Sequence, residues 1–119
     1  MHLTEAERKV MEIVWSGEAS TAKDLAAALL ERVHWSKTTS YTMITRCVEK
    51  GYLRREEPRF TCVPLVTREE VSHWETDELL EHNFHGSADL LVASLVKQKK
   101  LSLTEIEKLC QTLRENEEK

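Results

Sequence analysis

The sequence predicts a mainly α-helical chain with one small β-hairpin near its middle, and three observations carry that reading. Pro and Gly are scarce, at two and three in 119 residues, while charged residues reach 32% and aromatics only 6%. That composition favours helices over a sandwich or barrel. Apolar residues recur at helical spacing in several stretches, most of them opened by a Ser or Thr able to cap a helix. Only after Gly51 does the period change, to two short runs around a proline turn.

In chain order, the first helix opens on a capping box, Thr4 with Glu7, turns Val10, Met11, Val14 and Trp15 to one face, and ends at Gly17. Glu18-Ala19-Ser20 is long enough only for a connecting strand. A second helix starts at Ser20 or Thr21 and carries Leu25, Ala28, Leu29 and Leu30 toward Val33, its alanines allowing close packing. After a turn at His34-Trp35, Ser36 caps a third helix, with Gly51 just past its end and Met43, Ile44, Cys47 and Val48 as its buried stripe. Residues 52–56 and 59–63 read as strands around Glu57-Pro58-Arg59. Thr67 with Glu70 opens a long fourth helix reaching Phe84, with Val71, Trp74, Leu79 and Leu80 among polar residues. Ser87 caps a fifth helix bearing Leu90, Leu91, Ala93, Leu95 and Val96. Ser102 with Glu105 opens a sixth with Leu103, Ile106, Leu109, Cys110 and Leu113.

Three helices followed by a basic hairpin is the order of a winged helix-turn-helix, so residues 1–66 are expected to form a DNA-binding domain with the hairpin as its wing. Residues 67–119 hold three amphipathic helices with too little material for a core of their own. They are expected to pair with a second copy, burying Trp74, Leu91, Leu95, Ile106, Leu109 and Leu113 in a homodimer interface.

The third helix carries the functional reading. Away from its apolar stripe it presents Lys37, Thr38, Thr39, Tyr41, Thr42, Thr45 and Arg46, nearly all hydrogen-bond donors. Threonines lose rotamer freedom in a helix, so a merely solvated face would hold Glu, Lys, Gln or Ala instead. Hydroxyls flanked by cations suit base edges and phosphates of double-stranded DNA, and Arg54, Arg55 and Arg59 of the wing suit the sugar-phosphate backbone. The blander alternative is a Thr-rich helix that only packs, beside a charged hairpin of a small α+β domain. The net charge of −4 divides unevenly: seven cations face three anions between Arg32 and Arg59, whereas beyond residue 64 acids outnumber bases twelve to seven. A basic middle and an acidic remainder imply one surface for a polyanion and another for a different partner.

Other classes fare worse. No apolar run approaches the roughly 20 residues of a membrane span, and the N-terminus shows no signal-peptide pattern, so a chain that does not enter the membrane is expected. Cys47, Cys62 and Cys110 are odd in number and far apart, which fits a reducing cytoplasm better than a disulfide framework. No convergent nucleophile, acid or ligand set points to an enzyme, and no cofactor is implied. His82 and His85 with Glu78 or Glu81 share a helix face, yet histidines in a last turn more simply complement the helix dipole, so no metal is expected. The alternatives kept open are a protein-interaction winged helix and a metal- or redox-responsive regulator induced without proteolysis.

Several motifs together resemble the penicillinase repressor family (BlaI/MecI type, related to CopY-type copper-responsive repressors). They are Leu3-Thr4-Glu5-Ala6-Glu7 with Val10-Met11-Glu12-Ile13-Val14-Trp15, then Trp35-Ser36, Thr42-Met43-Ile44-Thr45-Arg46 and Glu49-Lys50-Gly51-Tyr52-Leu53. Leu65-Val66-Thr67-Arg68-Glu69-Glu70, Phe84-His85-Gly86-Ser87 and the run from Leu101 to Leu109 complete the pattern. The resemblance implies a homodimeric bacterial repressor of a β-lactamase or related resistance regulon, bound to a dyad operator often built of TACA/TGTA half-sites. It also implies release when a membrane-bound sensor protease has the dimer domain cleaved. Family members usually carry an aliphatic residue where Ser40 stands, a basic one where Tyr41 stands, and an Asn-Phe bond where this chain has Ser94-Leu95. The paired Cys-x-Cys motifs of the copper-responsive branch are absent.

Overall fold

The computed structural model of the chain describes residues 2–118, which form one compact unit up to Glu75 and a second from Thr76 onward. The first unit begins with α1 (Glu5–Ser16), α2 (Ala22–Val33) and α3 (Lys37–Glu49), followed by the antiparallel strands β1 (Leu53–Glu56) and β2 (Thr61–Pro64). Side chains fix where each helix starts. The Thr4 hydroxyl accepts from the Glu7 N–H at 3.2 Å while the Glu7 carboxylate accepts from the Thr4 N–H at 2.9 Å, both halves of the capping box. Thr21 and Ser36 accept in the same way from Asp24 and Thr39, each at 3.2 Å. Gly17, at φ +77°, supplies the left-handed residue that ends α1.

In the hairpin, Leu53 faces Pro64, Arg54 faces Val63, Arg55 faces Cys62 and Glu56 faces Thr61. The segment before α2 joins it as a one-bridge third strand. Thr21 pairs with Thr61, the Cys62 N–H donates to the Ser20 carbonyl at 2.7 Å, and the Ala22 N–H donates to the Phe60 carbonyl at 2.9 Å. Between the strands lies a turn with a cis Glu57-Pro58 bond, and Phe60 stands there at φ +51°. The second strand therefore starts at Thr61, and Arg59 and Phe60 belong to the turn rather than to residues 59–63 as a strand.

The core joins Val10, Met11, Leu25, Leu29, Ile44, Cys47, Leu53 and Val71, all essentially inaccessible, with Ile13 beside them. Each large apolar side chain so buried contributes about 1.5–3 kcal/mol. Two expectations fail here. Leu30, expected inward, is 58% exposed. On α3 the fully buried residues are Ser40, Ile44 and Cys47, with Met43 and Val48 half-buried. Ser40 is one turn before Ile44, so it completes the stripe that its polarity had hidden.

The fourth helix, α4 (Arg68–Asn83), begins in the first unit. The Thr67 hydroxyl accepts from the Glu70 N–H at 3.0 Å and donates to the Glu70 carboxylate at 3.2 Å. Val71 is buried in the core, and the Trp15 indole N–H donates to the Val66 carbonyl at 2.9 Å. Arg68 pairs with Glu12 at 2.7 Å and lies 5.6 Å from the Trp15 ring centroid, and Arg8 pairs with Glu75. The first unit thus runs on beyond the domain limit expected at residue 66.

The second unit contains the rest of α4, then α5 (Ala88–Lys97) and α6 (Leu103–Glu117). The Ser102–Glu105 capping box forms in full. Ser87 holds the N-cap position of α5 but makes no side-chain cap, because its hydroxyl donates to Asp89 at 2.6 Å instead. Neither α5 nor α6 buries any residue.

Candidate nucleic-acid interface

Ser36 starts α3, and the residues between the buried positions Ser40, Ile44 and Cys47 make up its outer face. Lys37, Thr38, Thr39, Thr42, Thr45 and Arg46 are exposed on it, with Tyr41 half-buried. Tyr41, Thr42, Thr45 and Arg46 line one shallow concavity, together with Glu49. The hydroxyls are not equivalent. Thr42 donates to the Thr38 carbonyl at 2.9 Å, which leaves its methyl and an acceptor lone pair outward. The Ser36 hydroxyl donates to that of Thr39 at 3.0 Å, leaving the Thr39 proton free to donate. Such a face can pack methyls on thymine and exchange hydrogen bonds with base edges.

Charge on this half of the chain is more committed than its sequence suggests. Four of the seven cations are ion-paired: Arg32 with Glu18, Lys50 with Glu7, Arg54 with Glu56 at 2.7 Å, and Arg55 with Glu57. Lys37, Arg46 and Arg59 make no ion pair among the described residues, and these are the cations most available to a phosphate.

Two features escaped the sequence reading. The first is an aromatic joint between α3 and the hairpin. The Tyr41 and Phe60 rings meet edge to face, their centroids 6.2 Å apart at 78°. The Arg55 guanidinium sits 3.8 Å from the Phe60 centroid, and the Lys37 ammonium lies 5.9 Å from that of Tyr41. Cation, ring, ring and cation follow one another from the start of α3 to the turn of the hairpin. The sequence places Phe60 only in a strand, and nothing local in it pairs that ring with Tyr41.

The second is a buried carboxylate. Glu7, read as a capping residue alone, is wholly inaccessible, and its other oxygen lies 2.6 Å from the Lys50 ammonium just past α3. Burial works to raise its pKa, but the Lys50 ammonium and the Thr4 N–H outweigh it and hold the carboxyl below its ordinary value. The start of α1 is thereby fastened to the end of α3.

The cysteines bear on the redox alternative. Burial, reinforced by Glu7, pushes the Cys47 thiol up to about 12, and burial pushes Cys62 up to about 11. Both remain protonated and unreactive near neutral pH. Cys110 is exposed. No group of three or more metal-ligating side chains forms among the described residues. His85 stands past the end of α4 at φ +51°.

Of the residues expected in a dimer interface, Trp74 is 38% exposed, Leu109 56% and Leu113 59%, while Leu91, Leu95 and Ile106 are half-buried. Leu103, at 71%, is more exposed than any of them. Ser94 and Leu95 are half-buried within α5, where the Ser94 hydroxyl accepts from the Gln98 amide at 2.9 Å.

Comparison with known proteins places the chain among repressors. A family profile described as penicillinase repressor matches residues 3–115. A 16.5 kDa protein encoded 3′ of ptsI in Latilactobacillus sakei is 34% identical over 113 residues, covering 93% of this chain and 77% of that one. The methicillin resistance regulatory protein MecI of Staphylococcus aureus is 28% identical, covering 90% of this chain and 89% of its own. The penicillinase repressor of Bacillus licheniformis is 25% identical, over 96% and 91%.

Proposed function

The chain belongs to the penicillinase repressor family of bacterial transcriptional repressors, and we propose that it acts as a homodimer that places two copies of α3 on a dyad-symmetric operator. DNA-binding repression without enzymatic activity is the family's function. The observation that carries the finer reading is the outer face of α3, where hydroxyls and methyls lie beside the unpaired Lys37, Arg46 and, on the hairpin turn, Arg59. In this reading Thr39, Tyr41 and Thr42 meet base edges, Thr38 and Thr45 flank them, and the cations hold phosphates. Arg54 and Arg55 join the phosphate contacts only by exchanging their glutamates for DNA.

The dimer is inferred from what α5 and α6 leave uncovered. Leu103, Leu109 and Leu113 are each more than half exposed, and so much apolar surface on adjacent turns is unusual for a monomer. A second copy, related by a two-fold axis, would bury Leu91, Leu95, Ile106, Leu109 and Leu113, with Trp74 at the margin. We further propose a resistance-type regulon and release by a membrane-bound sensor protease whose action leads to cleavage between Asp89 and Lys100. A cut at Ser94-Leu95 would require α5 to unwind first, since that bond lies within the helix.

A salt-dependent gel shift with the chain's own promoter region, run beside sedimentation of the intact protein, tests the proposal. Expected are a dimer at micromolar concentration and an affinity falling steeply with salt. A truncated chain ending at Glu75 should remain folded, bind a half-site only weakly and sediment as a monomer. Ending it at Val66 would instead strip Val71 from the core. An intact chain that is monomeric and still binds a full operator tightly would refute the arrangement.

A further inference from the structure

We propose that the groove between α2 and the start of α3 is a binding site for a small aromatic carboxylate, and that its occupancy opposes DNA binding. The regulatory half of this proposal rests on the DNA-binding role of α3; the binding half does not.

The groove, of about 230 Å³, is lined by Lys23, Ala26, Ala27, Leu30, Lys37 and Tyr41. Its floor is apolar. Leu30 is 58% exposed on a helix whose other leucines, Leu25 and Leu29, are completely buried, and the neighbouring alanines are too short to cover it. The rim is cationic: neither Lys23 nor Lys37 makes an ion pair among the described residues, and no acid lines the groove. One wall is the half-buried Tyr41 ring. These surfaces ask for a ligand with a flat apolar body to cover Leu30 and meet the tyrosine, and with one anionic head for the lysines. The volume suits one or two fused rings and is too small for a partner helix. A bare phosphodiester would use the lysines but leave the apolar floor uncovered. Because Lys37 and Tyr41 belong to both the groove and the outer face of α3, ligand and DNA compete for the same two side chains.

The probe is 2-naphthoate, with 2-naphthylmethanol as its uncharged match, titrated into the full chain while the methyl resonances of Leu30, Ala26 and Ala27 are followed by NMR. Expected are saturable shifts with a Kd of about 1 mM or below, as a fragment of this size allows. Binding should be at least tenfold weaker for the alcohol and for Lys23→Met. With operator DNA present, probe at ten times its Kd should raise the apparent DNA Kd about elevenfold, the factor for mutually exclusive binding. Leu30→Gln should abolish that effect and leave DNA affinity without probe unchanged. Absence of saturable shifts, or equal binding of the alcohol, overturns the site. Probe binding without any change in DNA affinity overturns its regulatory half. A Lys23→Met chain whose salt slope on DNA falls by about one unit shows the groove to be part of the phosphate track, which also overturns the proposal. If the chain binds no DNA at all, the reading of α3 fails while the NMR titration still decides the ligand.

Discussion

Ser40→Ala should make the protein more stable. Ser40 lies on the buried stripe of α3 with no accessible surface, and its hydroxyl oxygen has no hydrogen-bond partner. Its N–H is already bonded to the Ser36 carbonyl at 3.0 Å, as in any helix. A buried hydroxyl left without a partner costs about 1–3 kcal/mol, and Ala in place of Ser adds about 0.5 kcal/mol of helix propensity. Against this stands the small void left by one oxygen. The net expectation is a gain of about 1–2 kcal/mol. In urea, with a slope of about 1–3 kcal/mol per molar, the unfolding midpoint should rise by about 0.3–2 M. The measurement is made at fixed protein concentration with wild type alongside, so that any association cancels. DNA affinity and its salt dependence should not move, since Ser40 faces away from the outer surface of α3. A midpoint unchanged or lowered would refute the reasoning, because it would mean the hydroxyl is satisfied, for instance by back-bonding to its own helix.

Other outcomes follow from the same geometry. Glu7→Gln should lower the melting temperature by several degrees at neutral pH by removing the ion pair with Lys50. Because the folded carboxyl titrates below its ordinary value of 4.5, that stabilisation is present above pH 4.5 and lost as pH falls through the folded pKa. The two melting curves should therefore converge in acid, and a constant offset down to pH 3 would contradict the pairing. Since the Thr42 proton is spent on Thr38, Thr42→Val should keep most of the operator affinity, while Thr42→Ala should lose about 1–3 kcal/mol on the specific site and little on random DNA; anisotropy titrations against both DNAs decide. Arg59→Ala should lower the salt slope by about one unit and Arg54→Ala by less, because Arg54 already faces Glu56 at 2.7 Å. Equal slopes would show that the intramolecular pair does not compete with phosphate.

Local chemistry made much of this fold legible. The caps at Thr4, Thr21, Ser36 and Ser102 act within one turn of their own helix, and all four form as the sequence suggests. Ser87 failed because Asp89, two residues on, offered its hydroxyl a charged acceptor. The exposed face of α3 was legible from its threonines and cations, since helical period alone separates it from Ile44 and Cys47. What required partners distant in sequence was hidden. Leu30 has the same chemistry as Leu29, and only the placement of α3 decides which of them is covered. The glutamates that neutralise Arg54 and Arg55 were counted, but a tally of charges does not say which are paired. Ser40 was a different failure: it was left out of the buried stripe, although its place one turn before Ile44 puts it there.

The edge-to-face contact between Tyr41 and Phe60 has a consequence for how binding preference could change over time or be engineered. Position 41 lines the concavity on the outer face of α3 and also meets the hairpin turn, so a substitution there alters two surfaces at once. A third helix transplanted from a relative with a basic residue at this position would arrive without the ring that Phe60 leans on, and Arg55 would lose the rigid backing for its own stack. Helix and hairpin therefore form a single unit of inheritance, and variants that exchange residues 37–46 together with 55–60 should retain function where exchanges of either segment alone do not.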